Sequence, residues 1–244
     1  MSNITFAENL QIDTTTELNW LEIMTGALQN TYYYLRWFRD DAGYTEKLQT
    51  AFGDGFDGEV VNQLFDGFAQ GDFSAIPVIE IVNRSDINGA NGAFSITTGK
   101  VYLAADFITE NANNFSAITD VLLEETGHSI DAKINVVDAA GDEGDIFARL
   151  VQGKSISQEE LAVLRGEDDT ATVTVDGEVL EIEQNINTII FNKDTYKFDI
   201  PSFSIDPTQK TIFLIHGFTS NPDTFGSLYD NLESLDKKAN KYEV

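Results

Sequence analysis

The segment Leu123-Glu-Glu-Thr-Gly-His-Ser-Ile-Asp131 gathers the residues best suited to chemistry. Glu124 and His128 stand four apart, so on a helix they project from one face, one turn from each other. Glu125 adjoins them, and Asp131 follows His128 by three positions. Carboxylates and an imidazole converging in this way are what a divalent cation binds, and histidine is the commonest protein ligand. The same spacing also fits a solvated acidic helix, or a metal-free scaffold in which His128 is a hydrogen-bonded structural residue. Two other acidic clusters stand out. Asp54, Asp57 and Glu59 lie among glycines in the manner of a calcium loop, but without the bidentate glutamate that closes an EF-hand loop. Glu167-Asp168-Asp169 reads as a solvated turn.

The elements that must position these groups follow from periodicity and turn chemistry. Asn113, Asn114 and Ser116 offer caps for a helix running to about Ile134, with Val121, Leu122, Leu123, Ile130 and Ile134 as its apolar face. Upstream, Pro77 opens a β-rich region. Val78–Val82 is a short apolar run, and Ala93–Ile96 and Lys100–Ala104 flank Thr97-Thr98-Gly99 as a hairpin. Earlier still, Leu18, Leu21, Ala27, Leu28, Leu35 and Phe38 recur at helical spacing over Glu17–Phe38. The cluster Tyr32, Tyr33, Tyr34 and Trp37 makes that helix buried or semi-buried. A second helix is expected over Gly58–Ala69, with Val60, Val61, Leu64, Phe65 and Phe68 on one face.

Downstream of His128, a loop with Gly141 and Gly144 leads to a short helix, Ile146–Gln152. Ser157-Gln-Glu-Glu160 is a capping box opening a helix that ends at Gly166. Thr170–Val175 and Glu178–Glu183 flank Asp176-Gly177, the strongest short-range hairpin signal in the chain. Residues 185–209 are polar and turn-rich and read as a linker. Thr211–Ile215 is then an apolar strand, His216–Pro222 a loop, and Thr224–Leu235 a helix with Phe225, Leu228, Leu232 and Leu235 on one face. No internal repeat is present.

Composition limits the function classes. The chain has 244 residues, and domains of about 100–200 residues make that one large or two small domains. Hydrophobic residues at 42% and aromatics at 11% suffice for a core. A net charge of −26 disfavours nucleic acid, whose phosphates need clustered Lys and Arg, and equally disfavours anionic lipid. The absence of cysteine excludes a disulfide framework, a Cys-ligated zinc and a thiol nucleophile. No run approaches the roughly 18 apolar residues of a membrane span. The N-terminus, MSNITFAENLQID, lacks the basic and apolar regions of a signal peptide, which alone reads as cytoplasmic. An acidic, cysteine-free chain also suits export by a C-terminal signal, and that is the expectation carried forward.

The Glu124–Asp131 segment resembles the zincin metallopeptidase helix, His-Glu-x-x-His, with Glu124 in place of the first histidine. The hairpin Ala93–Ala104 lies where zincins place an antiparallel edge strand. Asp142-Glu-Gly-Asp-Ile-Phe-Ala148 is similar to the second helix of the lethal-factor type of toxin protease, which carries a glutamate ligand. The resemblance implies metal ligands Glu124, His128 and Glu143, with Glu125 as general base toward a metal-bound water. It covers about Val78–Gln152. The longer stretch of about Leu18–Gln184 resembles a module of large exported bacterial proteins in which this Glu-Glu-x-Gly-His form is usual. Replacing one histidine by glutamate takes the charge of the centre from +1 to 0. The bound water is then acidified less, and preference moves from zinc toward harder ions such as Mn²⁺ or Ca²⁺.

The run Thr211–Ile215 followed by His216-Gly217-Phe218 is similar to the oxyanion-hole strand of α/β-hydrolases, closest to the pancreatic-lipase group. There Gly217 lets the loop turn sharply, Phe218 lends its backbone N–H to the oxyanion, and His216 shapes the loop. The chain contains no Gly-x-Ser-x-Gly nucleophile elbow, so no esterase activity is expected of it alone.

The expected architecture is therefore α/β. Residues 1–184 form an α+β zincin-like module with a small mixed sheet, 185–209 a linker, and 210–244 the truncated start of a lipase-like hydrolase. The expected function is the N-terminal fragment of an exported hydrolase acting on ester bonds, with an accessory module that binds a divalent metal and is weak or inactive in catalysis. The alternatives are an active metallopeptidase acting on peptides through Glu125, and a non-enzymatic acidic interaction module.

Overall fold

The computed structural model describes residues 4–137 and 139–184, together with the backbone of two short strands beyond them. The elements, in chain order, are β1 (Ile4–Phe6), α1 (Thr14–Phe38), α2 (Tyr44–Phe52), α3 (Gly58–Gln70), β2 (Val78–Val82), a 3₁₀ turn (Arg84–Ile87), β3 (Gly92–Ser95) and β4 (Lys100–Ala104). They continue with α4 (Ala105–Glu110), α5 (Phe115–Ile134), α6 (Glu143–Val151), α7 (Gln158–Leu164), β5 (Thr170–Val175) and β6 (Glu178–Gln184).

The strands form one six-stranded mixed sheet in the order β1-β2-β4-β3-β6-β5, which with the helices makes the unit α/β. β1, β2 and β4 run parallel, with Ile79 opposite Val101 and Ile81 opposite Leu103. Ile79, Ile81, Val82, Val101, Leu103 and Ala104 of β2 and β4 are buried, as covered parallel strands require, while Ile4 and Phe6 of β1 are partly buried. β3 turns back antiparallel to β4, and β6 pairs along the other side of β3 at Ala93↔Gln184 and Phe94↔Glu183. This corrects the expectation of an edge strand: β3 is interior, and β5 closes the sheet beyond β6.

Each helix is set by its own cap and face. Asp13 opens α1 by accepting from the Thr16 N–H at 2.7 Å. Trp20, Met24, Ala27, Leu28, Leu35 and Phe38 then line the buried stripe. Tyr33 and Trp37 fall on the opposite side and are exposed, as is Leu18, so the aromatic run is not buried as a group. Asp57 caps α3 by accepting from the Glu59 and Val60 N–H groups at 2.9 and 3.1 Å. That carboxylate serves a helix end, and among the described residues the clusters able to hold an ion do not include Asp54, Asp57 or Glu59. The capping box at α7 is formed in both directions, Glu160 N–H to Ser157 Oγ and Ser157 N–H to Glu160 Oε2.

α5 decides where the chemistry sits. It divides two cores. On one side Ile118, Val121 and Leu122 pack with the sheet and the first half of α1. On the other, Leu123, Ile130 and Ile134 join a cluster containing Phe38, Phe52, Phe65, Phe68 and Phe147. The aromatic rings there meet edge-on or tilted, for example Phe38 against Phe147 at 5.7 Å between centroids. A helix between two cores has no solvent face, so every residue from Val121 to Asp131 is buried, the charged ones included.

The chain divides into two compact units, Met1–Ile190 and Phe191–Val244. Beyond β6 the described backbone is that of β7 (Ile190–Asn192) and β8 (Lys197–Asp199), which pair with each other. The predicted strand at Thr211–Ile215, the loop carrying His216, Gly217 and Phe218, and the helix at Thr224–Leu235 lie outside the described residues.

Candidate metal centre

Four elements converge on His128. α5 supplies Glu124, Glu125 and His128 itself. The start of α6 supplies Asp142, its N-cap, and Glu143, its first residue. The closing hairpin supplies Asp169, just before β5, and Glu183 in β6. The helices approach closely because two glycines face each other. A Cβ on Gly127 would stand 2.9 Å from Gly144 Cα, and one on Gly144 would stand 2.5 Å from His128 Nε2.

The ring nitrogens have different surroundings. Nδ1 is hydrogen-bonded to Glu143 Oε1 at 2.8 Å, with Glu183 Oε2 at 3.2 Å. Nε2 faces Asp169 Oδ2 at 3.6 Å and Asp142 Oδ1 at 4.0 Å. Asp142 Oδ1 also accepts from the Asp145 N–H at 2.7 Å, which fixes it at the head of α6. Asp131 does separate work: it accepts from Asn135 Nδ2 and from the Ala139 N–H, tying down the chain after α5.

Glu125, His128 and Glu143 have no exposed surface (0% each), and Glu124, Asp142 and Asp169 are buried. Yet His128 Nε2, both Glu125 oxygens, Glu143 Oε2, Asp169 Oδ2 and Glu183 Oε2 have no hydrogen-bond partner. Buried polar atoms are nearly always paired, so this concentration around one imidazole requires a physical reason.

The protonation states show the same tension. Burial, followed by neighbouring Asp142, raises the Glu124 carboxyl well above the ordinary range. Burial does the same to Glu125, against the pull of His128. Asp142 is pushed up by burial to about 7 and Asp169 to about 6. Burial disfavours the His128 imidazolium, but the adjoining Glu143 outweighs it and the ring ends well above its usual value.

Two sets of side chains can hold a metal ion: Glu124, His128 and Asp142, and His128, Glu143 and Asp169. Within each set the donor atoms lie within 4.8 Å of one another. The residues singled out from sequence, Glu124, His128 and Glu143, thus meet at the imidazole, with the two glutamates in different sets. Glu125 is beside them in neither. Asp142 and Glu183 carry no such signal in the sequence, where Asp169 reads as part of a solvated turn. Asp169 in particular is no solvated turn residue. Its neighbour Asp168 is the exposed one and accepts from Thr170 Oγ1, while Asp169 turns inward. Glu183 lies on the strand face opposite Leu180 and Ile182, a pattern that reads as solvent-facing until His128 is placed against it.

No protein-family model, curated protein or solved structure matches the chain. Among the described residues, no helix is long and apolar enough to cross a membrane.

Proposed function

We propose that the unit built around α5 is a divalent-cation-binding module, zincin-like in plan, that serves an exported hydrolase of the lipase or esterase type. The observation that carries the metal half is the set of orphaned buried atoms around His128. A dication supplies the missing partner to nitrogen and oxygen donors at once, and it replaces the protons that the carboxyls otherwise retain. One imidazole among carboxylates favours a harder ion, Mn²⁺ or Ca²⁺, over zinc. Two carboxylates already cancel the charge of the ion, so a water bound to it is acidified less than at a zincin centre.

Binding suits this geometry better than cleavage. Glu125, the base of a metallopeptidase reading, has no exposed surface. A peptide reaching it by pairing with β3 would first have to displace β6. The hydrolase half of the proposal rests on the sequence run Thr211–Phe218, and it implies an ester substrate for the whole protein.

Melting with and without the ion tests the metal half. An ion at ten times its Kd adds about 1.4 kcal/mol. For a unit of this size that is a rise of roughly 3–6 °C, reversed by chelator. Identical melting curves in Mn²⁺, Ca²⁺ and chelator would contradict it.

A further inference from the structure

The two nitrogens of His128 settle different roles on the carboxylates around it, and this inference rests on the metal-binding reading above. The Nδ1–Glu143 separation of 2.8 Å is that of a direct hydrogen bond. Ligands sharing one ion stand further apart. Two bonds of about 2.0–2.1 Å at a tetrahedral centre hold their donor atoms roughly 3.4 Å apart. The Nε2 side has that spacing: Asp169 Oδ2 at 3.6 Å and Asp142 Oδ1 at 4.0 Å, with no hydrogen bond to Nε2. Glu124 converges with His128 and Asp142.

We propose that the cation binds at Nε2 of His128, held by Asp142 and Glu124, and that Glu143 is a positioning residue, not a ligand. Glu143 accepts the Nδ1–H, which fixes the tautomer, aims Nε2 at the ion and makes it a stronger donor. Nδ1 and Nε2 point away from each other, so a carboxylate hydrogen-bonded at one does not reach an ion at the other. The rival arrangement, an ion at Nδ1 between Glu143 and Glu183, must first break the 2.8 Å bond.

The test is a two-bond ¹H–¹⁵N spectrum of the His216→Gln chain, in which His128 is the only histidine, titrated with Zn²⁺. The expected result is a protonated Nδ1 and a zinc-shifted Nε2. In parallel, Glu143→Gln should lower Zn²⁺ affinity by about 10–100-fold, the range for an orienting partner, and Asp142→Asn by more. A zinc-shifted Nδ1 with Nε2 protonated overturns the assignment and leaves the metal reading standing. So does Zn²⁺ uptake that survives Asp142→Asn and vanishes in Glu143→Gln. An unchanged spectrum with no uptake of Zn²⁺, Mn²⁺ or Ca²⁺ by the parent chain overturns the metal reading, and the assignment with it.

Discussion

Replacing His128 with alanine should destabilise the unit by about 3–5 kcal/mol, the range for breaking a buried charged network by removing one partner. The ring has no exposed surface, and carboxyls of Glu143, Glu183, Asp169 and Asp142 lie within 4.0 Å of its nitrogens. Its loss leaves them buried around a void with neither imidazolium nor ion. Urea unfolding measures this as a lower midpoint at unchanged slope. A loss under about 1 kcal/mol, the level of an ordinary surface or loop change, would mean that the carboxyls are satisfied without the ring. The same variant should take up no ion.

The second large effect is expected at Gly144→Ala. Helix α6 reaches α5 here because neither Gly127 nor Gly144 carries a side chain. The new methyl would stand 2.5 Å from Nε2 and 2.7 Å from Cε1 of His128, a ring that Glu143 holds in place. Overpacking of this kind costs about 1–3 kcal/mol. The methyl also displaces the ring that carries Nε2, so ion binding should weaken strongly. Gly127→Ala is the control. Its Cβ would press on Gly144 Cα at 2.9 Å and Phe147 Cδ1 at 3.1 Å, contacts that part the helices without touching Nε2. Stability should fall in both variants, as read by thermal melting. Ion affinity, read by calorimetry, should fall much further in Gly144→Ala. Equal affinity losses would show that helix spacing alone controls the centre.

Much of the architecture could be read locally. The helix carrying Glu124 and His128, the Ser157 capping box and the Asp176-Gly177 hairpin depend on short-range spacing and turn chemistry, and the structure forms each of them. What local reading missed is non-local. α2 opens at Gly43 with no side-chain cap, so Tyr44–Phe52 carries no start signal. β1 is three residues long and exists through its pairing with β2. β3 becomes interior only because β6, far along the chain, pairs with it.

The centre divides in the same way. Glu124 and His128 were visible because one helical turn brings them together. Asp169 and Glu183 reach the imidazole only after the hairpin has docked, and a run of three acids gives no sign of which one turns inward. Nor does periodicity foretell that α5 is buried on every side. That follows from its place between two cores, and it is the reason that ordinary acidic residues become a site at all.

His128 and its carboxylates are proposed to bind one divalent cation. Equilibrium dialysis of the full chain against Mn²⁺ or Ca²⁺, followed by elemental analysis, measures it most directly. The expected result is one ion for each chain, absent from the His128→Ala variant and removed by chelator. An ion content no higher in the parent chain than in His128→Ala would contradict it.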